Sequence, residues 1–169
     1  RSRGLGDVYK RQTQVLSDIF TIQEIKKKSI SKLKLCWIGD ANNNMMNSLI
    51  EACIKFSITL NIACPKIYQP NKALISLIKK QKGKIKIFNK KELAIKNSDV
   101  VMTDKIISLN DKVNKKKKLN SFKNFKVDIK TMNLAKKDAI FLHCLPRGSE
   151  VTEEVFLGKK SKVWQQALN

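Results

Sequence analysis

The chain has 169 residues with 42% hydrophobic content, enough for one α/β domain with its own core. Its formal charge of +21 points on its face to nucleic acid or an acidic membrane surface. No apolar run approaches the length of a membrane span, and no stretch has the basic, apolar, small-residue order of a secretory signal.

The chain opens on a compositional seam. Three of the four arginines (Arg1, Arg3, Arg11) and two of the six glycines (Gly4, Gly6) fall in the first eleven residues, and from Thr13 the chain turns to Lys, Ile and Asn. Residues 1–12 read as a foreign leader or a disordered tail and are set apart from the domain expected over 13–169. Apolar residues at Val15, Leu16, Ile19, Phe20 and Ile22 predict a helix from Val15 to about Lys28. Leu33 to Ile38 reads as a strand, followed by a helix from about Asn43 to Phe56 and a strand from Thr59 to Ala63. A helix over Lys72 to Lys82, a strand over Ile85 to Phe88 and a short helix near Lys91 to Lys96 come next. The strand Val100 to Thr103 precedes a lysine-rich stretch with helical patches at Val113 to Phe122 and Ile129 to Lys136. Ala139 to Leu142 is a buried strand, and Val163-Trp164 hints at a last one.

The lysine-rich stretch bears on the charge. Only four of the 35 basic residues are arginine, the residue whose planar fork suits nucleic acid, and lysine travels here with Ile and Asn as AT-rich coding would produce. A solvated lysine surface is the preferred reading over a nucleic-acid patch, and Lys115 to Lys118 reads as exposed helix or loop. A basic nucleic-acid-binding α/β domain stays as the alternative, marked by salt-sensitive binding.

Strands alternating with helices predict an α/β fold: a doubly wound, mostly parallel sheet with helices on both faces, Rossmann-like. Ligands of such sheets bind beyond the C-terminal strand ends. Three polar clusters fall there: Gly39 to Asn44, Thr103-Asp104, and His143-Cys144-Leu145-Pro146. They are expected to converge on one crevice.

Each cluster has a bland and a sharp reading. Cys144 is a core thiol, or a sulfur at the rim of a site. His143 is a satisfied core histidine or a site residue; adjacent strand residues point oppositely, so the two do not form a Cys-His pair. Asp104 is a loop or helix cap, or the partner of a substrate ammonium. The Asn run caps a helix, or offers amide and backbone N–H donors to a carboxylate. Gly39-Asp40-Ala41 lacks the Gly-x-Gly-x-x-Gly pattern, which weakens a nicotinamide-binding module. Cys36, Cys53, Cys64 and Cys144 form no Cys-x-x-Cys pair, which favours reduced thiols in a cytoplasmic protein and no metal site.

Together these clusters resemble the ornithine carbamoyltransferases. His143-Cys144-Leu145-Pro146 with Val151 to Val155 resembles the family signature, and Thr13-Gln14 to Asp18 the end of its His-Pro-x-Gln-x-Leu-x-Asp segment, with Arg11 and Gln12 in place of His-Pro. Gly39 to Asn43 resembles Gly-Asp-Gly-Asn-Asn, Thr103-Asp104 with Ser108-Leu109 resembles Thr-Asp-x-x-x-Ser-Met-Gly, and Val163 to Ala167 resembles Val-Trp-x-Gln-Ala. The motifs occur in order from Thr13 to Asn169.

The resemblance implies carbamoyl transfer from carbamoyl phosphate to the δ-amine of L-ornithine, giving citrulline and phosphate for arginine biosynthesis, without metal or organic cofactor. It gives Gln14 and Cys144-Leu145 to the carbamoyl group, Asn43 (or Asn44, which an extra residue makes hard to separate) to the ornithine carboxylate, and Asp104, Ser108 and Leu109 to its α-ammonium end. Cys144 would sit against the reacting amine and His143 would support the carbamoyl-phosphate side. The usual Ser-Met-Gly is Ser108-Leu109-Asn110 here, so putrescine or an acylated ornithine stays open as the amine. The resemblance also implies a homotrimeric parent whose carbamoyl-phosphate half, with its Ser-Thr-Arg-Thr loop, precedes Thr13. At the other end Leu168-Asn169 stands where Glu-Asn-Arg is expected, so the chain reads as an ornithine-binding domain cut at both ends and inactive alone.

Overall fold

A computed structural model describes the backbone of residues 3–107 and 114–169 and the side chains of 12–107 and 114–169. Five parallel strands form one sheet: β1 (Lys34–Ile38), β2 (Thr59–Ala63), β3 (Ile85–Phe88), β4 (Val100–Thr103) and β5 (Ile140–His143). Their order is β3-β2-β1-β4-β5. The chain walks outward from β1 to β3 and then returns to lay β4 on the other side of β1. That reversal opens a crevice at the C-terminal ends of β1 and β4.

Side chains on a strand alternate between faces, and here both faces are covered. In β1, Leu35 and Trp37 join a core under the helices α1 (Arg3–Lys26), α2 (Asn44–Lys55) and α3 (Lys72–Lys80). Cys36 and Ile38 join a second core with residues of α4 (Lys91–Ile95), α6 (Ile129–Met132) and α7 (Glu153–Leu157). Between α4 and α6 in sequence lies α5 (Lys115–Ser121), and α8 (Val163–Leu168) ends the chain. The doubly wound α/β arrangement expected from the sequence is the one observed. Burial pushes the thiols of Cys36, Cys53 and Cys64 up to about 12, so these three act as small apolar residues of the cores.

The backbone is helical from Arg3 to Lys26, a span that takes in most of the helix expected from Val15. Within that helix Val15, Ile19 and Ile22 are buried, while Leu16 and Phe20 are more than half exposed. Val163-Trp164 starts a helix, not a strand. Sheet pairing comes two residues earlier, as a single bridge of Ser161 with Phe141, in which the Phe141 N–H donates to Lys160 O and the Lys162 N–H to Phe141 O. Beyond it Val163 and Gln166 are buried three apart on one helical face. Lastly, the lysine run is not uniformly solvated. Lys115, Lys116 and Lys117 are exposed, but Lys118 is 4% exposed and its Nζ lies 2.7 Å from Asp40 Oδ2. A lysine one position along a helix turns about 100° from its neighbour, and composition carries no trace of which one faces inward.

Candidate active site at the strand ends

The ends of β1, β4 and β5 are adjacent in the sheet, so their polar clusters do converge. After β1 the chain turns at Gly39, whose φ of +149° suits glycine. A Cβ there would meet Thr103 Oγ1 at 3.3 Å, and that hydroxyl already donates to Ile38 O at 2.6 Å. Glycine thus lets the ends of β1 and β4 close on each other. Asp40 follows, with Oδ2 paired to Lys118 and Oδ1 accepting from the Asn42 N–H at 2.9 Å. Lys118 Nζ also lies 5.5 Å from the Tyr68 ring centroid, which favours a desolvated cation.

Asn43 is the N-cap of α2. Its Oδ1 accepts from the Met46 N–H at 2.8 Å, and its Nδ2 donates to Asp40 O at 3.0 Å. The capping alternative is therefore realised at this residue, with Asn44 exposed beside it. Asp104, partly exposed, ends β4 and accepts from the Lys105 N–H at 2.7 Å. Ser108, Leu109 and Asn110 lie outside the described residues.

At β5 the chain presents His143 and Cys144. His143 is buried, with Nε2 2.8 Å from Glu150 Oε1 and Nδ1 without a hydrogen-bond partner among the described residues. Burial pushes the Glu150 carboxyl up, but hydrogen bonds from His143 and from the Gly148 N–H outweigh it and hold Glu150 below its ordinary value. An ionised Glu150 accepts only, so Nε2 carries the ring proton towards it. Phe156 stands edge-on to the imidazole at 5.8 Å between centroids. Cys144 is half-buried and packs against the first core, while Leu145, exposed, precedes Pro146 through a cis peptide bond.

The first helix is linked to the end of β5 by polar side chains. Asp18 is fully buried and accepts from Gln14 Nε2 at 2.9 Å and from Gln166 Nε2 at 2.7 Å. Gln166 in turn accepts the His143 N–H at 2.9 Å through Oε1. Burial raises the Asp18 carboxyl to about 6, against the two amide hydrogen bonds and with a small push from the negative charge of Asp104. Gln14, Asp104, His143 and Cys144 are thus drawn to one end of the sheet.

Sequence reasoning gave no role to Asp18, Lys118, Glu150 or Gln166. Asp18 and Gln166 lay inside quoted motifs, and a polar residue on an apolar helix face was the available signal. Glu150 and Lys118 carried none. A cleft of about 450 Å³, lined by Ile106, Leu119, Phe122, Lys126 and Glu150 among others, opens against the buried end of this region. A larger one, about 530 Å³, lies at the opposite margin among Lys34, Thr59 and Lys84. Volume is the poorer guide here, because converging polar side chains mark the strand-end crevice. Among the described residues no group of three or more His, Cys, Asp or Glu could hold a metal ion, and no helix is long and apolar enough to cross a membrane.

Comparison with known proteins places this geometry. Residues 31–169 match the family model of the aspartate/ornithine carbamoyltransferase Asp/Orn-binding domain. The chain is 42% identical to the ornithine carbamoyltransferase of Caldicellulosiruptor saccharolyticus, covering 98% of this chain and 55% of that one. It is 37% identical to that of Methanosarcina acetivorans, over 92% and 52%. The crystal structure of the anabolic ornithine carbamoyltransferase of Campylobacter jejuni superposes with a TM-score of 0.85 at 39% identity, covering 92% of this chain and 53% of that chain. The enzyme of Pyrococcus furiosus gives 0.81 at 33%, over 92% and 51%. The chain spans about half the length of the curated relatives it matches. It belongs to the aspartate/ornithine carbamoyltransferase family, and the part matched is that family's amino-acid-binding domain.

Proposed function

We propose that this chain supplies the ornithine side of a cytoplasmic, homotrimeric ornithine carbamoyltransferase, which moves a carbamoyl group from carbamoyl phosphate to the δ-amine of L-ornithine. The single observation that carries the reading is the convergence of Gln14, Asp104 and His143-Cys144 at adjacent strand ends in a chain of this family. The reaction is attack of a neutral amine on a carbonyl carbon. The C–N bond to ornithine forms, the C–O bond to phosphate breaks, and the amine proton leaves with the departing phosphate.

Each residue then has a task. Asp104 draws the α-ammonium, with Ser108 and Leu109 completing that end. Asn43 spends one amide hydrogen on Asp40; the second is the donor for the ornithine carboxylate. Cys144 sits against the δ-amine and accepts from it, orienting the nitrogen lone pair at the carbonyl. Gln14 and the Cys144-Leu145 turn hold the carbamoyl group, and His143, fixed by Glu150, supports its phosphate side. Rate comes from aligning two substrates and from donors aimed at the developing oxyanion. No metal or organic cofactor takes part in this scheme.

The test is reconstitution. Residues 13–169 fused behind the carbamoyl-phosphate-binding half of a relative are expected to make citrulline, whereas the purified chain alone stays at the level of its Cys144→Ala control. Asp104→Asn in the fusion should raise the ornithine KM at least about tenfold and leave that of carbamoyl phosphate nearly unchanged. A fusion that carbamoylates putrescine or an acylated ornithine in preference to ornithine would overturn the choice of amine. Unchanged ornithine kinetics in Asp104→Asn would remove Asp104 from the scheme.

A further inference from the structure

Asp18 has no task in that scheme, yet it is among the most enclosed polar groups of the chain. It sits at 0% exposure on α1, and its Oδ1 alone receives both Gln14 Nε2 and Gln166 Nε2. Its Oδ2 is buried without a hydrogen-bond partner among the described residues. A carboxylate left with half its acceptor capacity unused is a costly way to tie two helices together. An amide would keep an acceptor for both glutamines without a buried ionisable group, so stability of packing does not account for the choice.

The connections on either side of Asp18 supply a better account. One side is Gln14, a single turn back along α1. The other is Gln166, 148 residues away in sequence, whose Oε1 takes the His143 backbone N–H. An amide that donates at one end and accepts at the other has its orientation fixed, so the carboxylate sets which way Gln166 points. The seam between α1 and the C-terminal segment has three more polar links: Gln165 Nε2 to Glu24 Oε2 at 2.6 Å, and Asn169 Nδ2 to Thr21 Oγ1 at 2.8 Å and to Glu24 Oε2 at 3.4 Å. All three are made from residues 21 and 24, further along α1 than Asp18. The helices would therefore stay docked without Asp18, but the path from Gln14 to His143 would not survive.

We propose that Asp18 is a positioning residue of the carbamoyl-facing site: its Oδ1 orients the Gln14 amide directly and, through Gln166, fixes the His143-Cys144 strand end, so that the two sides of the site keep one spacing. The assignment rests on the reading that Gln14 and Cys144 face the transferred group. Its geometric part does not depend on the substrate. Among the described residues, Asp104 at the end of β4 acts on Asp18 through charge, Glu24 lies further along α1, and His143, paired with Glu150, stands beyond Gln166.

Two measurements separate the proposal from its premise. In this chain, backbone and side-chain amide NMR signals of Gln14, Gln166, His143 and Cys144 are followed in the wild type, Asp18→Asn and Asp18→Ala. The expected result is a common titration of the Gln166 side-chain and His143 backbone amides in the wild type with a midpoint of about 6. Asp18→Asn, which keeps an acceptor oxygen, should abolish the titration and leave His143 and Cys144 near their wild-type positions; Asp18→Ala should displace both. Should Asp18→Ala fail to fold, Gln166→Leu takes its place, with displacement of His143 and Cys144 again expected. Unmoved His143 and Cys144 signals in a folded Asp18→Ala or Gln166→Leu overturn the proposal, as does a titration of the Gln166 side-chain amide that persists in Asp18→Asn.

The second measurement is kinetic, in the citrulline-forming fusion. Asp18→Ala should lower kcat about tenfold or more while the ornithine KM changes little, and Asp18→Asn should restore most of the loss. Equal kcat in Asp18→Ala and wild type would overturn the functional half of the proposal. A wild-type fusion that makes no citrulline indicts the proposed reaction instead, and the NMR result still decides whether Asp18 governs the strand end.

Discussion

Two carboxylates stand at the same end of the sheet and solve burial in opposite ways. Asp40, after β1, has an ammonium 2.7 Å away on Lys118 and stays paired charge to charge. Asp18, on α1, has only amides, and desolvation lifts it to about 6. A paired buried charge tethers two segments and is costly to break. An unpaired one answers to pH and can be replaced at a gain. The lysine on α5 thus binds a surface helix to the strand-end turn, while the acid on α1 stays poised between states.

The contrast breaks most sharply at Lys118. Lys118→Met strands Asp40 without its counter-ion, and chemical denaturation at neutral pH should register a loss of about 3 kcal/mol. Asp18→Asn should move the other way. Its carboxyl has a folded value of about 6 against 3.8 in the unfolded chain, so the fold binds that proton more tightly. The associated stability is whole below about 3.8 and is lost as pH rises through 6, a difference of about 3 kcal/mol above that point. The Asn variant loses that dependence, and after the cost of burying an Nδ2 without a partner it should gain about 1–2 kcal/mol at pH 8. Thermal melts of both proteins at pH 4 and pH 8 would expose a wrong sign.

Glu150 offers a third buried carboxylate, held by hydrogen bonds from a histidine ring and the Gly148 N–H. Its folded value is lowered, so its contribution is present above the ordinary glutamate range and is lost as pH falls through the folded value. Glu150→Gln should cost about 1 kcal/mol at pH 7 and progressively less in acid, measured by the same melts. The smallest effect belongs to Lys117→Met. This residue neighbours Lys118 in the same run but is exposed, and its replacement should change stability by less than about 0.5 kcal/mol. A loss equal to that of Lys118→Met would mean that charge density, not the one buried contact, holds α5.

Most of the sheet was legible in the sequence because its strands are short apolar runs between turn residues, and β2 and β3 fall on their expected bounds. The convergence of strand ends followed from topology rules alone. What stayed illegible was direction. Val163-Trp164 has the apolar content of a strand, and only the buried Gln166 three positions later shows that the segment is wound. Lys118 is one lysine among four in a row, distinguished by an angle about the helix axis. For Asn43, the sequence pattern carries both a helix cap and a carboxylate donor, and it does not show that the cap takes Oδ1, through the Met46 N–H, and leaves one amide hydrogen over. In the polar network, Asp18 and Gln166 were both within recognised motifs, but their mutual contact spans 148 residues and no local pattern encodes it.

The single bridge between Ser161 and Phe141 has a further effect, on colloidal behaviour. The segment 160–162 lies along the outer margin of β5 and occupies backbone groups of Phe141 that would otherwise be open to a strand from another molecule. The opposite margin, β3, carries Lys86 with its side chain exposed and Lys84 just before it. Like charges brought together across such a margin repel. One side of the sheet is therefore shielded by its own chain and the other by electrostatics, so this protein should stay dispersed in dilute buffer and begin to self-associate through β3 when salt screens the lysines.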